Sequence, residues 1–427
     1  MVDPWRPCTL GDVLRVKHGY AFKGEYFADK GNYVLLTPGN FEASGGLKLK
    51  GEKEKYYSAD FPSDFLLCRD DLLVAMTDLT QEARILGSPA VVPMSGRFLH
   101  NQRLGKIVNL NESLIDRRFL YYLFNCRHVR EQLKATATGS TVRHTAPERI
   151  YAVKVQLPAL REQHRIASIL GAYDDLIEVN RRRIAVLEEM ARRLFDEWFV
   201  HFRFPGHAAL SITPVGDEIV PHGWLLQTIG ETFDLLGGGT PSKAEPEFWD
   251  AGVVEWYTPS DLTGAKTVFM DRSSLRISRV GLQRSSAHLF PPYSVMMTSR
   301  ATIGAIAINT TAASTNQGFI TCLPNDRVPL AFMYHWLHWK VPVFIAHGTG
   351  ATFKEITKGV FRRLPIVVPP AHITAQFERQ CRPMLDTVLV LERSQRRLAE
   401  SRDLLLPRLI SGDLPVTTAE RELEAVA

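Results

Sequence analysis

Trp5-Arg6-Pro7-Cys8-Thr9-Leu10-Gly11-Asp12 is written a second time, in outline, as Trp224-Leu225-Leu226-Gln227-Thr228-Ile229-Gly230-Glu231. Trp, Thr, Gly and an acid keep their places, and Ile229 answers Leu10, 219 residues further on (224 less 5). Other pairs follow in the same order. Thr37-Pro38 returns as Thr258-Pro259, Met76-Thr77 as Met297-Thr298, and Asn101-Gln102 as Asn316-Gln317. Thr138-Gly139-Ser140-Thr141 returns as Thr349-Gly350-Ala351-Thr352, and Leu157-Pro158 as Val368-Pro369. The offset shrinks slowly along the chain, which a few loop deletions absorb. One such match would be chance; an ordered set is a tandem repeat.

The segment after each copy has a different rhythm. From Glu162 to about Phe199 there is no proline, and Gly171 lies near the start. Apolar residues recur in alternating steps of four and three: Ile166, Leu170, Tyr173, Ile177, Asn180, Ile184, Leu187, Ala191, Leu194, Trp198. From Gln376 to about Ile410 the same steps give Phe377, Cys381, Met384, Val388, Leu391, Gln395, Leu398, Arg402, Leu405, Leu409. This rhythm predicts two long helices with coiled-coil seams. Helices of this size span roughly 50–60 Å at 1.5 Å per residue, more than one small domain needs. Each seam carries one amide, Asn180 or Gln395. An antiparallel pairing that sets Ile166 opposite Leu409 and Trp198 opposite Phe377 also sets the two amides together, as a register-fixing pair. Pro383 and Pro407 are expected points of kinking.

The copies themselves mix short strand-like runs with turn residues. Tyr33–Leu36, Leu72–Met76, Ala90–Val92, Lys106–Val108 and Val153–Leu157 read as strands in the first. Val253–Tyr257, Val295–Thr298, Ile303–Ile308, Phe319–Leu323 and Leu364–Val368 do so in the second. One helix per copy is expected, near Asp116–Leu133 and Leu330–Phe344. The fold class is therefore α+β: two mostly-β domains separated by two long helices packed as an antiparallel coiled coil. The expected divisions are 1–158 and 221–370 for the domains and 159–204 and 371–413 for the helices. A Pro/Gly-containing linker fills 205–220, and a polar, frayed tail runs from 414 to 427.

Composition narrows the function. Of 427 residues, 45% are hydrophobic and 23% charged, which excludes a wholly disordered chain. No apolar run reaches the ~18 residues that cross a bilayer. No export signal is legible at Met1-Val2-Asp3-Pro4-Trp5. Cys8, Cys68, Cys126, Cys322 and Cys381 are far apart and form no Cys-x-x-Cys pair, so a reducing cytoplasm is the expected location. The net charge of +5 permits a polyanionic partner without requiring one. No Gly-x4-Gly-Lys-Ser/Thr loop, Gly-x-Ser-x-Gly elbow or His-Glu-x-x-His helix is present, so no catalytic or metal-binding residues are assigned. Phe290-Pro291-Pro292-Tyr293 imitates the Asn/Asp-Pro-Pro-Tyr/Phe motif of amino-group DNA methyltransferases. It lacks the polar first side chain that accepts from the target amino group. Gly237-Gly238-Gly239-Thr240 imitates a phosphate cradle, but Pro241 and Pro246 follow where a long helix should begin.

What remains is polar loop chemistry suited to DNA. The first copy offers Lys17, Tyr20, Thr77, Asp78, Gln81, Arg84, Arg103, Ser140, Arg143 and His144. The second offers Ser242, Lys243, Asp261, Ser299, Arg300, Thr302 and Lys354. Arg and Lys suit guanine edges and phosphates, and hydroxyls suit phosphates. Asn101-Gln102 and Asn316-Gln317 occur in both copies, so they are expected to shape the module rather than to read bases.

These motifs together resemble the specificity (S) subunit of type I restriction-modification enzymes. The resemblance is sharpest in Pro221-His222-Gly223-Trp224, Gly238-Gly239-Thr240-Pro241-Ser242, Phe248-Trp249, Trp256-x-Thr258-Pro259-Ser260-Asp261-Leu262 and Gly348-Thr349-Gly350-Ala351-Thr352. His18-Gly19-Tyr20-Ala21-Phe22, Leu157-Pro158-x3-Glu162-Gln163-x-x-Ile166 and Leu405-Leu406-Pro407-Arg408-Leu409-Ile410-Ser411-Gly412 extend it over nearly the whole chain. The second helix departs at its start, where Ala375-Gln376 replaces Glu-Gln, which puts the local cap or contact in question.

The resemblance implies two target-recognition domains, each reading one half of a bipartite site in double-stranded DNA, with the helices as a ruler for the gap. It implies a non-catalytic chain that directs two modification (methyltransferase) subunits and the restriction subunits. S-adenosylmethionine, ATP and Mg would sit on those partners and no cofactor on this chain. Helix pairing and partner docking would fall to Ile166, Tyr173, Asn180, Leu187, Trp198, Phe199, Phe377, Leu391, Gln395 and Leu405, with Trp198 and Phe199 left over for docking. The rival readings are a single-chain DNA adenine methyltransferase with duplicated halves and a coiled-coil scaffold that binds no DNA.

Overall fold

The computed structural model describes residues 5–206, 211–215, 218–350 and 353–424. Met1–Pro4 of the opening segment, Ala351 and Thr352 of the repeat, the last three residues of the expected tail and part of the expected linker lie outside these residues. The chain divides into two units, Met1–Leu176 with Leu398–Ala427, and Ile177–Arg397.

In the first unit, β1 (Arg6–Thr9) enters the module and later pairs antiparallel with its last strand. β2 (Arg15–His18), β3 (Tyr33–Leu36), β4 (Leu72–Ala75), β5 (Thr77–Asp78), β6 (Pro89–Val91), β7 (Phe98–His100) and β8 (Leu104–Val108) follow. Then come α1 (Arg117–Asn125), α2 (Arg127–Ala135), β9 (Arg143–His144), α3 (Pro147–Tyr151) and β10 (Lys154–Leu157). One sheet has the order β2-β8-β4-β6, and β3 runs parallel to β7 in another. Where one helix was expected over 116–133 there are two, with Cys126 in extended conformation between them. α4 (Leu160–Phe195) leaves the module. Gln163 moors its first turn: the side-chain amide donates to the carbonyls of Leu114 and Pro158 and accepts from the Asp116 N–H.

The second unit repeats this plan. The segment expected as a linker contains two strands paired antiparallel, β11 (Ile212–Val215) and β12 (Glu218–Pro221), and Glu218 pairs with the buried Lys340 at 2.7 Å. β13 (Leu225–Thr228), β14 (Leu235–Gly237), β15 (Val254–Tyr257), β16 (Phe269–Met270), β17 (Val295–Thr298), β18 (Ile306–Asn309), β19 (Ala313–Thr315) and β20 (Phe319–Cys322) follow. α5 (Leu330–Ala346), α6 (Lys358–Arg363) and β21 (Pro365–Val368) complete the module. The sheet order β14-β20-β17-β18-β16 is that of module one plus one edge strand, β16. The β15–β19 pair is parallel, as β3–β7 is.

The repeated motifs turn out to be local joints of the backbone. Thr9/Asp12 and Thr228/Glu231 close the same capping box, with the acid accepting from the Thr N–H at 2.7 and 2.8 Å. Thr37/Asn40 and Thr258/Asp261 close another, at 3.0 and 2.7 Å. Asn101 and Asn316 each accept from the N–H two residues on. Thr138 and Thr349 exchange both backbone bonds with His144 and Glu355. Gly19 and Gly238 lie so close to the next strand that a Cβ would stand 2.0 Å from the Asn101 carbonyl oxygen and 1.8 Å from that of Asn316. The three-glycine run therefore reflects close backbone approach, not a phosphate cradle. Phe290 of the Pro-Pro-Tyr sequence is buried, and the Pro291 carbonyl accepts from Asn309 and Ser294.

α7 (Ala371–Ser411) is unbroken through Pro383 and Pro407, so neither ends it. Its first turns lack the moored glutamine of α4. Glu378 takes over instead and accepts from the Ala331 N–H at 2.8 Å. The seam positions of both helices are buried or half-buried throughout. In the first unit Ile166 and Leu409 share one core, and Arg402 donates to Asp174 at 2.5 Å. In the second unit Trp198 packs on Phe377, with ring centroids 5.8 Å apart. Asn180 and Gln395 bond across the seam, though not to each other. Asn180 donates to Ser394 at 3.2 Å, and Gln395 donates to the Ile177 carbonyl at 3.1 Å. The helices are antiparallel in the expected register.

The tail differs from expectation. Val416–Glu424 forms α8, which buries Val416 and Ala419 and pairs Glu420 with Arg165 of α4.

Candidate nucleic-acid interface

In module one the strand ends bring most of the expected residues to one edge. β5 pairs with β9, setting Thr77 opposite His144 and Asp78 opposite Arg143. The N–H of Met76 donates to the Arg103 carbonyl at 3.0 Å, and Thr145 N–H donates to Met76 at 2.9 Å. Tyr20 joins this edge through a bridge to Asn101. Gln81, Arg84, Arg103, Ser140 and His144 are exposed there.

Several of these side chains already have internal work. Thr77 is buried and its hydroxyl meets His144 Nδ1 at 3.0 Å. Asp78 is buried and accepts from the Thr80 N–H and hydroxyl and from the Ile85 N–H, all within 2.8 Å. That buried carboxylate shapes the loop. Arg143 spends its terminal nitrogens on the carbonyls of Gly139 and Lys134, at 3.3 and 3.1 Å. Arg84 pairs with Glu82. Lys17 lies 4.9 Å over the Phe65 ring and 3.5 Å from Asp64. Arg103 is exposed and has no side-chain partner among the described residues. Arg149, which sequence reasoning passed over, reaches this edge by donating to Thr138 and His144.

The matching edge of module two is built on the turn Thr298–Gly304. Ala301 takes φ 62° and Gly304 φ 92° there. Thr298 donates to the Thr302 carbonyl, and Ala301 N–H donates to Lys354. Arg300 faces Glu355 across a bridge, 3.8 Å apart as an ion pair. Thr302 and Lys354 are exposed, and beside Lys354 the ring of Phe353 is 60% exposed. Phe353 was missed because one aromatic in a loop carries no periodic signal. Ser299 is buried, with its backbone bonded to Gly318 and Ile356. Asp261 is corrected to an internal cap. Burial works against its charge, but bonds from Thr258 and Ser274 outweigh this and hold it below the usual carboxylate range. Ser242 and Lys243 are exposed on the loop before Pro246.

Trp198 and Phe199, expected as docking residues, are buried in the second unit's core. They lie on a π turn (Asp196–Val200) that turns both adjacent rings inward, against Phe377, Phe332 and Trp224. A different stripe is free. Val179, Val186 and Met190 of α4 and Val390 of α7 are 48%, 58%, 49% and 64% exposed. Each precedes a seam residue by one position, which puts them on one flank of an antiparallel pair. Leu385, Leu389 and Glu392 follow seam residues by one position and are buried against module two.

Known proteins share this plan. The type I restriction modification DNA specificity domain matches twice, over residues 2–189 and 221–378. The HindI specificity subunit of Haemophilus influenzae is 24% identical over 371 residues, spanning 72% of this chain and 80% of that one. The putative MjaX specificity subunit of Methanocaldococcus jannaschii is 21% identical over 428 residues, spanning 97% and 95%. The crystal structure of the type I S subunit from M. genitalium superposes with a TM-score of 0.59 at 14% identity, over 95% and 96% of the two chains, which shows a common fold. With one copy of that domain in each half, the chain belongs to the type I restriction-modification DNA specificity family.

Proposed function

We propose that this chain is the specificity subunit of a type I restriction-modification complex and that its two modules read the two halves of a bipartite DNA site. One observation carries the reading: equivalent edges of the two modules share a backbone skeleton but differ in the side chains they show. Arg103 stands where module two has Gly318, and Arg143-His144 where it has Lys354-Glu355. A common frame with different exposed groups suits two different half-sites.

The long helices set the gap between half-sites, and linkage makes the second contact effectively intramolecular. The exposed stripe through Val186 and Met190 receives the modification subunits, in place of Trp198 and Phe199. Methyl transfer with S-adenosylmethionine, and ATP- and Mg-dependent restriction, belong to the partner subunits. The test is a genome-wide map of methylated adenines with and without this gene. One bipartite motif with a fixed gap should vanish on deletion; an unchanged map would overturn the reading.

A further inference from the structure

Module two is fastened to the helix pair by several contacts, among them the Ala331 bond to Glu378 and the Arg382 guanidinium 4.8 Å from the Tyr293 ring; two of the fastenings differ in character. The first is its apolar core, which takes in Ile373, Phe377, Cys381, Leu385, Val388 and Leu389 of α7. The second lies further along α7 and is polar. Glu392 is buried and accepts from the N–H groups of Val268 and Phe269 at 2.8 and 3.1 Å. These belong to β16 and the residue before it, the edge strand that module one's sheet lacks. Asp271, just past that strand, accepts from Arg393 through Nε and Nη2, the shortest contact being 2.7 Å. It also accepts from Arg396 at 3.0 Å and from the Thr310 hydroxyl at 2.6 Å. The Asp271 side chain is only 15% exposed, so solvent screens this network less than an ordinary surface pair.

The two fastenings divide a mechanical task. An apolar core resists separation but is weakly directional. Two arginines converging on one carboxylate fix direction, because charge-assisted bonds demand alignment. A body held by its core alone could rock about it. We propose that Asp271, through Arg393 and Arg396, fixes the angle at which module two sits on its helix pair and so narrows the range of gaps the complex accepts. This rests on the reading that the helices set the gap. Asp271 is thus a positioning residue for specificity, remote from any base. The bond from Arg393, with Thr310 and Arg396 adding to it, holds its carboxyl down to about 2 against the effect of burial, so Asp271 keeps its charge across the physiological range, whereas burial pushes the neighbouring Glu392 up to about 7.

The experiment uses the assembled complex with its modification subunits and a DNA library in which the two half-sites are fixed and the gap is varied. Wild type, Asp271→Asn, the double variant Arg393→Gln/Arg396→Gln and Asp271→Glu are compared by methylation at each gap. The arginines sit on the helix surface, so their replacement spares the core. Asp271→Asn and the double variant should raise methylation at gaps one base pair longer or shorter about ten-fold relative to the preferred gap, the discrimination that one charge-assisted contact supplies. The half-sites should stay unchanged, and Asp271→Glu should restore the narrow profile. A uniform loss of rate with the wild-type gap profile would mean a merely structural role and would overturn the proposal. If wild type itself showed no preferred gap, the ruler reading would fail instead, which separates the two.

Discussion

Arg130 of α2 is buried, and its guanidinium is spent on backbone carbonyls. Nε donates to Leu86 at 2.7 Å, Nη1 to Ala43 at 3.2 Å, and Nη2 to Arg84. Burial lowers its pKa to about 10, with nearby Asp78 pulling the other way. Arg130→Ala would strand three carbonyls near a buried carboxylate. It should destabilise module one by ~2–4 kcal/mol, read as a shift in chemical denaturation. At this scale the sequence was least informative. Arg84, Asp78, Arg143 and Asp261 have the residue types that contact DNA, yet their loops turn three of them inward and pair Arg84 with Glu82. Which way a loop side chain points depends on long-range packing, such as the β5–β9 pairing, which leaves no local pattern. Arg103 and Lys354, by contrast, remain exposed.

Elements were far more legible, because their causes are local or periodic. The strands at Tyr33–Leu36 and Val295–Thr298 fall where they were expected. The seams from Ile166 to Trp198 and from Phe377 to Leu409 follow directly from their steps. The second stripe escaped notice for a physical reason. A coiled-coil seam is the strongest period in such a helix, and Arg183 interrupts the weaker row of Val179, Val186 and Met190. α8 was missed because Val416 and Ala419 are too few to signal a face. The stripe carries its own prediction. Val186→Glu with Met190→Glu should leave the helical circular-dichroism signal unchanged. Burying two such side chains is worth ~3 kcal/mol or more, so co-purification of modification subunits should fall at least about ten-fold. Full retention would place docking elsewhere.

At the scale of the whole chain, the repeat makes the spacer testable without touching either module. Ile177 and Leu398 answer each other in the antiparallel register expected from the sequence, both as seam positions. Seven residues inserted beside each would lengthen both helices by ~10 Å and return each seam to its phase. On DNA that rise corresponds to about three base pairs at ~3.4 Å each. Three base pairs also turn the duplex by roughly 100°, given ~10.5 base pairs per turn, whereas a heptad drifts by only ~20°. The longer complex therefore meets its second half-site out of phase, and either the duplex or the helix pair must twist. Methylation of a gap-randomised library should shift to a longer gap with both half-sites unchanged, and proceed more slowly than wild type does at its own gap. A variant that kept the original gap but altered a half-site would show that the helices do not measure distance. Because the paired insertion alters no residue of either module's edge, a change in base preference could come only from the frame, which the shared capping boxes and strand pairings give no reason to expect.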